Sequence, residues 1–190
     1  MNNKVSDFVL SGFSFVLGCT TVYAEEESIG LHGCYTADSG YVESASISES
    51  QQIGTYRIIL KHNNWTLLSD EDKSYTLKRF VAAGPILGNI TSFDNTGQVI
   101  LNHIISDKER RGFLMSHNDV FTPTTFPEPC NNESGYILTG IETVSIAAGT
   151  GIFADLNLQP GASIEVEGTV NSCSGENDFE VISGQLCFKK

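Results

Sequence analysis

Four histidines and a few carboxylates on strand-like stretches are the residues of this chain best suited to moving protons. The histidines are His32, His62, His103 and His117. His62 continues the alternation of Tyr56, Ile58 and Leu60, and His103 lies between Leu101 and Ile105, so a period of two carries both imidazoles toward an apolar interior. An imidazole so placed can serve as a pocket base, and the same position equally suits a half-buried, hydrogen-bonded histidine with no chemistry. Asp119, beside Val120 and Phe121 near an expected strand end, is the carboxylate best placed to meet such a pocket. Glu142, Glu165 and Glu167 also stand on or near strands, where paired carboxylates perform general acid and base work. Glu165 and Glu167 fall on the face opposite Ile164 and Val166, which turns them to solvent.

Several chemistries lack the residues they need. The chain has no G-x-S-x-G turn, and no serine or cysteine sits in a local pattern that marks a nucleophile. Gly149-Thr150-Gly151 is not followed by the glycine, lysine and helix of a phosphate loop. No C-x-x-C, H-x-H or H-E-x-x-H spacing is present, so neither a metal nor a cofactor is expected. Asp70-Glu71-Asp72 reads as a polar turn, because Tyr75 stands where a calcium loop needs glycine. A secreted hydrolase whose catalytic residues meet only in the folded chain is compatible with all of this.

The compartment is legible at the other end of the argument. Lys4, a mainly apolar run over residues 8–17 and a small polar stretch ending in Val22-Tyr23-Ala24 have the anatomy of a signal peptide over residues 1–24. Ten residues are too few to span a hydrocarbon core of roughly 30 Å, so no integral membrane span is expected. The protein is read as secreted or periplasmic; in the alternative, Val16-Leu17-Gly18-Cys19 acts as a lipobox and Cys19 carries a lipid anchor. Cleavage after Ala24 leaves Cys34, Cys130, Cys173 and Cys187, an even set in an oxidising compartment, which predicts two disulfides among three connectivities.

Cleavage removes Lys4 and Asp7 together, so the net charge stays at −12. Such an acidic chain opposes nucleic-acid phosphate, and no nucleic-acid partner is expected. Lys108, Arg110 and Arg111, the densest basic cluster, read as a solvated turn. Residues 25–190 fall within the size of one domain, and nothing in them opposes a homo-oligomer.

The elements that must position these side chains are strands. No apolar stripe of helical period survives the glycines and β-branched residues, whereas short runs of Ile, Val, Thr, Tyr and Phe recur between Gly, Asn, Asp and Ser clusters. Strands are expected over residues 31–36, 42–48, 56–61, 65–68, 86–93, 99–105, 112–116, 136–147, 163–170 and 179–188. Asp94-Asn95-Thr96-Gly97 reads as a hairpin turn, and the last strand needs a bulge near residues 182–184 to reconcile Phe179 and Val181 with Leu186 and Phe188. Eight to ten antiparallel strands cover their edges as a closed barrel of about eight strands or as a β-sandwich, with little helix.

The run Ile146-Ala147-Ala148-Gly149-Thr150-Gly151-Ile152-Phe153-Ala154 resembles the Gly-Gly-Thr-Gly-x-Phe segment of dirigent proteins and allene oxide cyclase barrels. Ala148 stands where those families usually have the first glycine, and Ala154-Asp155-Leu156 replaces their Ala-Arg-Gly. The resemblance covers roughly the last 55 residues, counted from the strand before this run to the end of the chain. It implies an eight-stranded antiparallel barrel, Phe153 plugging one end, and an interior that takes a small apolar ligand and guides its cyclisation or coupling without a cofactor. Under that layout Cys130 pairs with Cys173, and Cys34 with Cys187. The alternative is a cell-envelope or secreted interaction protein that works through the proline-rich loop over residues 122–130.

Overall fold

The computed structural model describes residues 29–93, 98–109, 111–131, 135–159 and 162–189. The leader, Cys19 and the turn over residues 94–97 lie outside the described residues. Among the described residues there are ten strands: β1 (Gly33–Ser46), β2 (Gln51–His62), β3 (Arg79–Phe93), β4 (Val99–Ser106), β5 (Phe113–Ser116), β6 (Asp119–Pro123), β7 (Glu128–Pro129), β8 (Tyr136–Gly149), β9 (Ser163–Asn171) and β10 (Glu176–Phe188). All their pairings are antiparallel, and the path β3-β2-β1-β10-β9-β8 is joined back to β3 through β4, with β5 and β6 between β8 and β4. The result is one closed eight-stranded antiparallel barrel with almost no helix. Closure leaves no long edge to be protected.

The core follows from alternation. Along β8, Leu138, Gly140, Glu142, Val144 and Ile146 turn inward while their neighbours are partly exposed, and Ile164 and Val166 do the same on β9. The register between β9 and β10 shifts between Val181 and Ser183, leaving Ile182 exposed. This is the expected bulge: an extra residue returns Leu186 and Phe188 to the interior face used by Phe179.

One end of the barrel is sealed. Phe153 has no exposed surface and meets Phe80 edge-on at 5.8 Å, as Tyr35 meets Phe188 at 5.9 Å. Gly151, at φ +58°, makes the turn that brings Phe153 back over the end; a side chain there would collide with the Arg111 carbonyl. Arg111 is no solvated turn residue: it grips Asp107 through Nε at 3.0 Å and Nη2 at 2.8 Å and lies 4.5 Å above the Phe80 ring.

Residues 65–68, expected as a strand, instead form a 3₁₀ turn (Trp65–Leu67) leading into α1 (Asp70–Tyr75). The Ser69 hydroxyl accepts from the Asp72 N–H at 3.0 Å and caps α1, whose first turn is wholly acidic, so the polar stretch has a helical solution. Both disulfides form as expected. Cys34–Cys187 joins register partners on β1 and β10, and Cys130–Cys173 ties the proline-rich loop to the turn between β9 and β10. No helix among the described residues is long and apolar enough to cross a membrane.

Candidate functional site

The site grows out of a break in one barrel strand. β5 and β6 occupy one position between β4 and β8, but Asn118 between them has φ +57°. In an unbroken strand Ser116 and Asp119 would face opposite ways; the break delivers both to the interior. It also interrupts the ladders on either side, where His103 of β4 and Ser145 of β8 have no register partner in β5 or β6. The two side chains repair the damage. Ser116 Oγ accepts the His103 backbone N–H at 2.7 Å, and Asp119 Oδ1 accepts the Ser145 backbone N–H at 2.7 Å.

Asp119 is fully buried, and its second oxygen is equally committed: Oδ2 accepts from the Ser116 hydroxyl in a short hydrogen bond and pairs with His103 Nδ1 at 2.7 Å. Glu142 completes the cluster from β8, with Oε1 3.5 Å from His103 Nδ1, and that oxygen is buried without a hydrogen-bond partner. Burial by itself would lower the pKa of His103; the hydrogen bond to Asp119 and the charges of Glu142 and Asp119 outweigh it and raise it. Burial pushes Glu142 up, against the pull of His103 and with the repulsion of Asp119.

Above this cluster the barrel is hollow. A cavity of about 490 Å³ opens at the end opposite Phe153, walled by Phe93, Phe121, Tyr136 and Phe179, with Glu142 among its lining residues. Phe121 and Phe179 meet edge-on at 6.1 Å inside it. A smaller chamber of about 30 Å³, room for one water, adjoins it and is bordered by Ser44, Gln52, His103 and Glu142.

Of the residues expected to carry chemistry, His103 and Asp119 are therefore brought together, and His62 stands apart. His62 lies toward the sealed end, opposite Tyr35 in the β1–β2 register and edge-on to it at 5.1 Å, where burial lowers its pKa. Its Nδ1 accepts the Asn64 N–H at 3.2 Å. Ser116 and Glu142 complete the cluster beyond the histidine and aspartate expected from the sequence. Glu142 had a signal, since it alternates with Leu138, Val144 and Ile146; Ser116 had none without the strand break.

Chemically, the cluster can share a proton between an imidazole and two carboxylates, and Glu142 is its one member in the lining of the apolar cavity among the described residues. His103, Asp119 and Glu142 each offer an atom within 4.8 Å of the others, a spacing that also suits a metal ion. However, His103 Nδ1 and both Asp119 oxygens already have partners, whereas Glu142 Oε1 is buried without a hydrogen bond. Ser116 directs its hydroxyl to Asp119 rather than to an imidazole nitrogen, so it is not set up as a nucleophile activated by His103. No family model, curated protein or solved structure matches the chain.

Proposed function

We propose that this is an exported barrel that binds a small, mainly apolar molecule in its open cavity and holds it against Glu142, which His103 and Asp119 back from the interior, where it is guided through cyclisation or coupling without a cofactor. The single observation that carries this reading is the aromatic-walled cavity of about 490 Å³ with the largely buried carboxyl group of Glu142 in its lining. A volume of several hundred Å³, apolar walls and few polar groups are the usual marks of a small-molecule site. A purely structural barrel would fill this space with its own side chains. The leader over residues 1–24 and the two disulfides support work outside the cytoplasm. Kinship with dirigent and allene oxide cyclase barrels belongs to the same proposal, supported by the strand count and by the turn that seats Phe153.

The test is native mass spectrometry of protein secreted from its own host, together with uptake of an environment-sensitive apolar dye. The expected result is a retained mass or a saturable dye signal that Leu138→Trp, which fills the cavity, removes. A folded protein that takes up neither overturns the reading. A second reading, a partner-binding role for the loop over residues 122–130, has one observation in its favour: Phe126 is 92% exposed on a loop tethered by Cys130.

A further inference from the structure

We propose that the molecule bound in this cavity is cationic, a lipophilic amine whose ammonium group pairs with Glu142 while its apolar body lies against the aromatic walls. This rests on the reading of the cavity as a ligand site and specifies what that site selects. Glu49 and Glu142 are the only charged side chains lining the cavity among the described residues, and both are acidic. A carboxylate ligand, such as a fatty acid, would meet no basic side chain among the described residues lining the cavity and would bring a second negative charge beside Glu142.

Glu142 Oε1 receives no hydrogen bond from the described residues, and its one ionic neighbour is already claimed. Asp119 claims His103 Nδ1 at 2.7 Å, and Glu142 Oε1 stands off at 3.5 Å. The remaining Asp119 contacts go to Ser116 and Ser145, so nothing in the cluster donates a hydrogen bond to that oxygen. An ammonium group held where Glu142 lines the cavity supplies a positive charge to this carboxyl group. Phe93, Phe121, Tyr136 and Phe179 suit the same ligand, because aromatic faces attract cations and aromatic walls accommodate an apolar body. The net charge of −12 favours the approach of cations over anions at low salt.

The decisive measurement is calorimetric or fluorescence titration at pH 8, after EDTA treatment, with three probes of one framework: 1-naphthylmethylamine, 1-naphthalenemethanol and 1-naphthoate. The expected result is amine binding at least tenfold tighter than the alcohol, with the carboxylate weakest, and loss of that preference in Glu142→Gln while the alcohol affinity is retained. Equal or tighter binding of the alcohol by the unmutated protein overturns the inference and leaves the cavity reading standing. An amine preference that survives in Glu142→Gln also overturns it, because the general surface charge would then be its source. If none of the three probes binds, the cavity reading fails and this inference falls with it. The comparison of probes on the unmutated protein decides the matter even if the variant does not fold.

Discussion

Gly88 of β3 lies directly against the His103 imidazole: a β-carbon at position 88 would stand 2.9 Å from Nε2. The ring is thus held between the missing side chain on one side and the Asp119 carboxylate on the other. Gly88→Ala is expected to push the ring off Asp119 and destabilise the barrel by about 1–3 kcal/mol, the range for overpacking a filled interior. Urea unfolding gives the stability change, and the His103 imidazole nitrogen shifts by NMR report the lost pairing. Unchanged imidazole shifts would show that the ring does not depend on the glycine.

Asp119 should matter more than any other polar residue of the interior. Itself fully buried, it satisfies the Ser145 N–H and the Ser116 hydroxyl and pairs with His103. Asp119→Ala leaves these groups without their acceptor, and the expected loss is about 3–5 kcal/mol, as for removing one partner of a buried ion pair. Asp119→Asn, which retains an acceptor for Ser145, should lose less. Chemical denaturation of both variants checks the order; a loss below about 1 kcal/mol for the alanine variant would mean that the strand break is held by something else.

The difference between what was readable and what was not lies in this break. The alternation of Ile164 and Val166 on β9, the bulge at Ile182, and the inward direction of His103 all follow from a period of two, because a barrel wall has one dry face. Glu142 obeys the same rule beside Val144 and Ile146, although a carboxylate on an apolar face reads poorly as a core residue. Ser116 and Asp119 disobey it. Three residues apart, they share a face only because Asn118 takes a left-handed conformation, which asparagine tolerates but does not announce. The stretch from Trp65 to Tyr75 misleads differently: its apolar residues suit a strand, and the Ser69 cap and acidic first turn decide for a helix.

The elevated pKa of Glu142 has a thermodynamic counterpart. In the unfolded chain this carboxyl ionises near its ordinary value of 4.5, whereas in the barrel burial keeps it protonated to higher pH. Folded stability therefore falls as pH rises from that ordinary value through the folded pKa, and the penalty is complete above it. His103, also raised, slopes the same way: its stabilising contribution is full below 6.5 and is lost as pH rises through its folded pKa. Glu142→Gln removes the first penalty. The variant should be more stable than the unmutated protein at pH 8, by about 1 kcal/mol, with the difference shrinking toward pH 4. Thermal unfolding across that range checks it; a variant less stable at pH 8 would show that the ionised carboxylate is well accommodated.

The two disulfides should fail in different ways. Cys34–Cys187 closes 153 residues of chain between strands that are already register partners, while Cys130–Cys173 closes 43 residues and anchors the loop beside the cavity mouth. Chain entropy alone assigns losses of about 5 and about 4 kcal/mol to their removal, upper values because unfolded chains retain structure. The more telling contrast is local. Replacing Cys34 and Cys187 by alanine should lower global stability with little change in the order of exchange protection around the barrel, since the β1–β10 ladder remains. Replacing Cys130 and Cys173 should release the loop that carries Phe126 and the short β7–β8 pairing of Glu128 with Ile137 and Pro129 with Tyr136. Tyr136 lines the cavity, so this variant is expected to exchange amide hydrogens faster over residues 124–131 and at Tyr136 and to release a bound probe sooner, through koff. Hydrogen exchange and stopped-flow displacement measure the two effects. Faster exchange with an unchanged koff would place the exit path away from this loop, on the side of the mouth formed by Ile47 and Phe93.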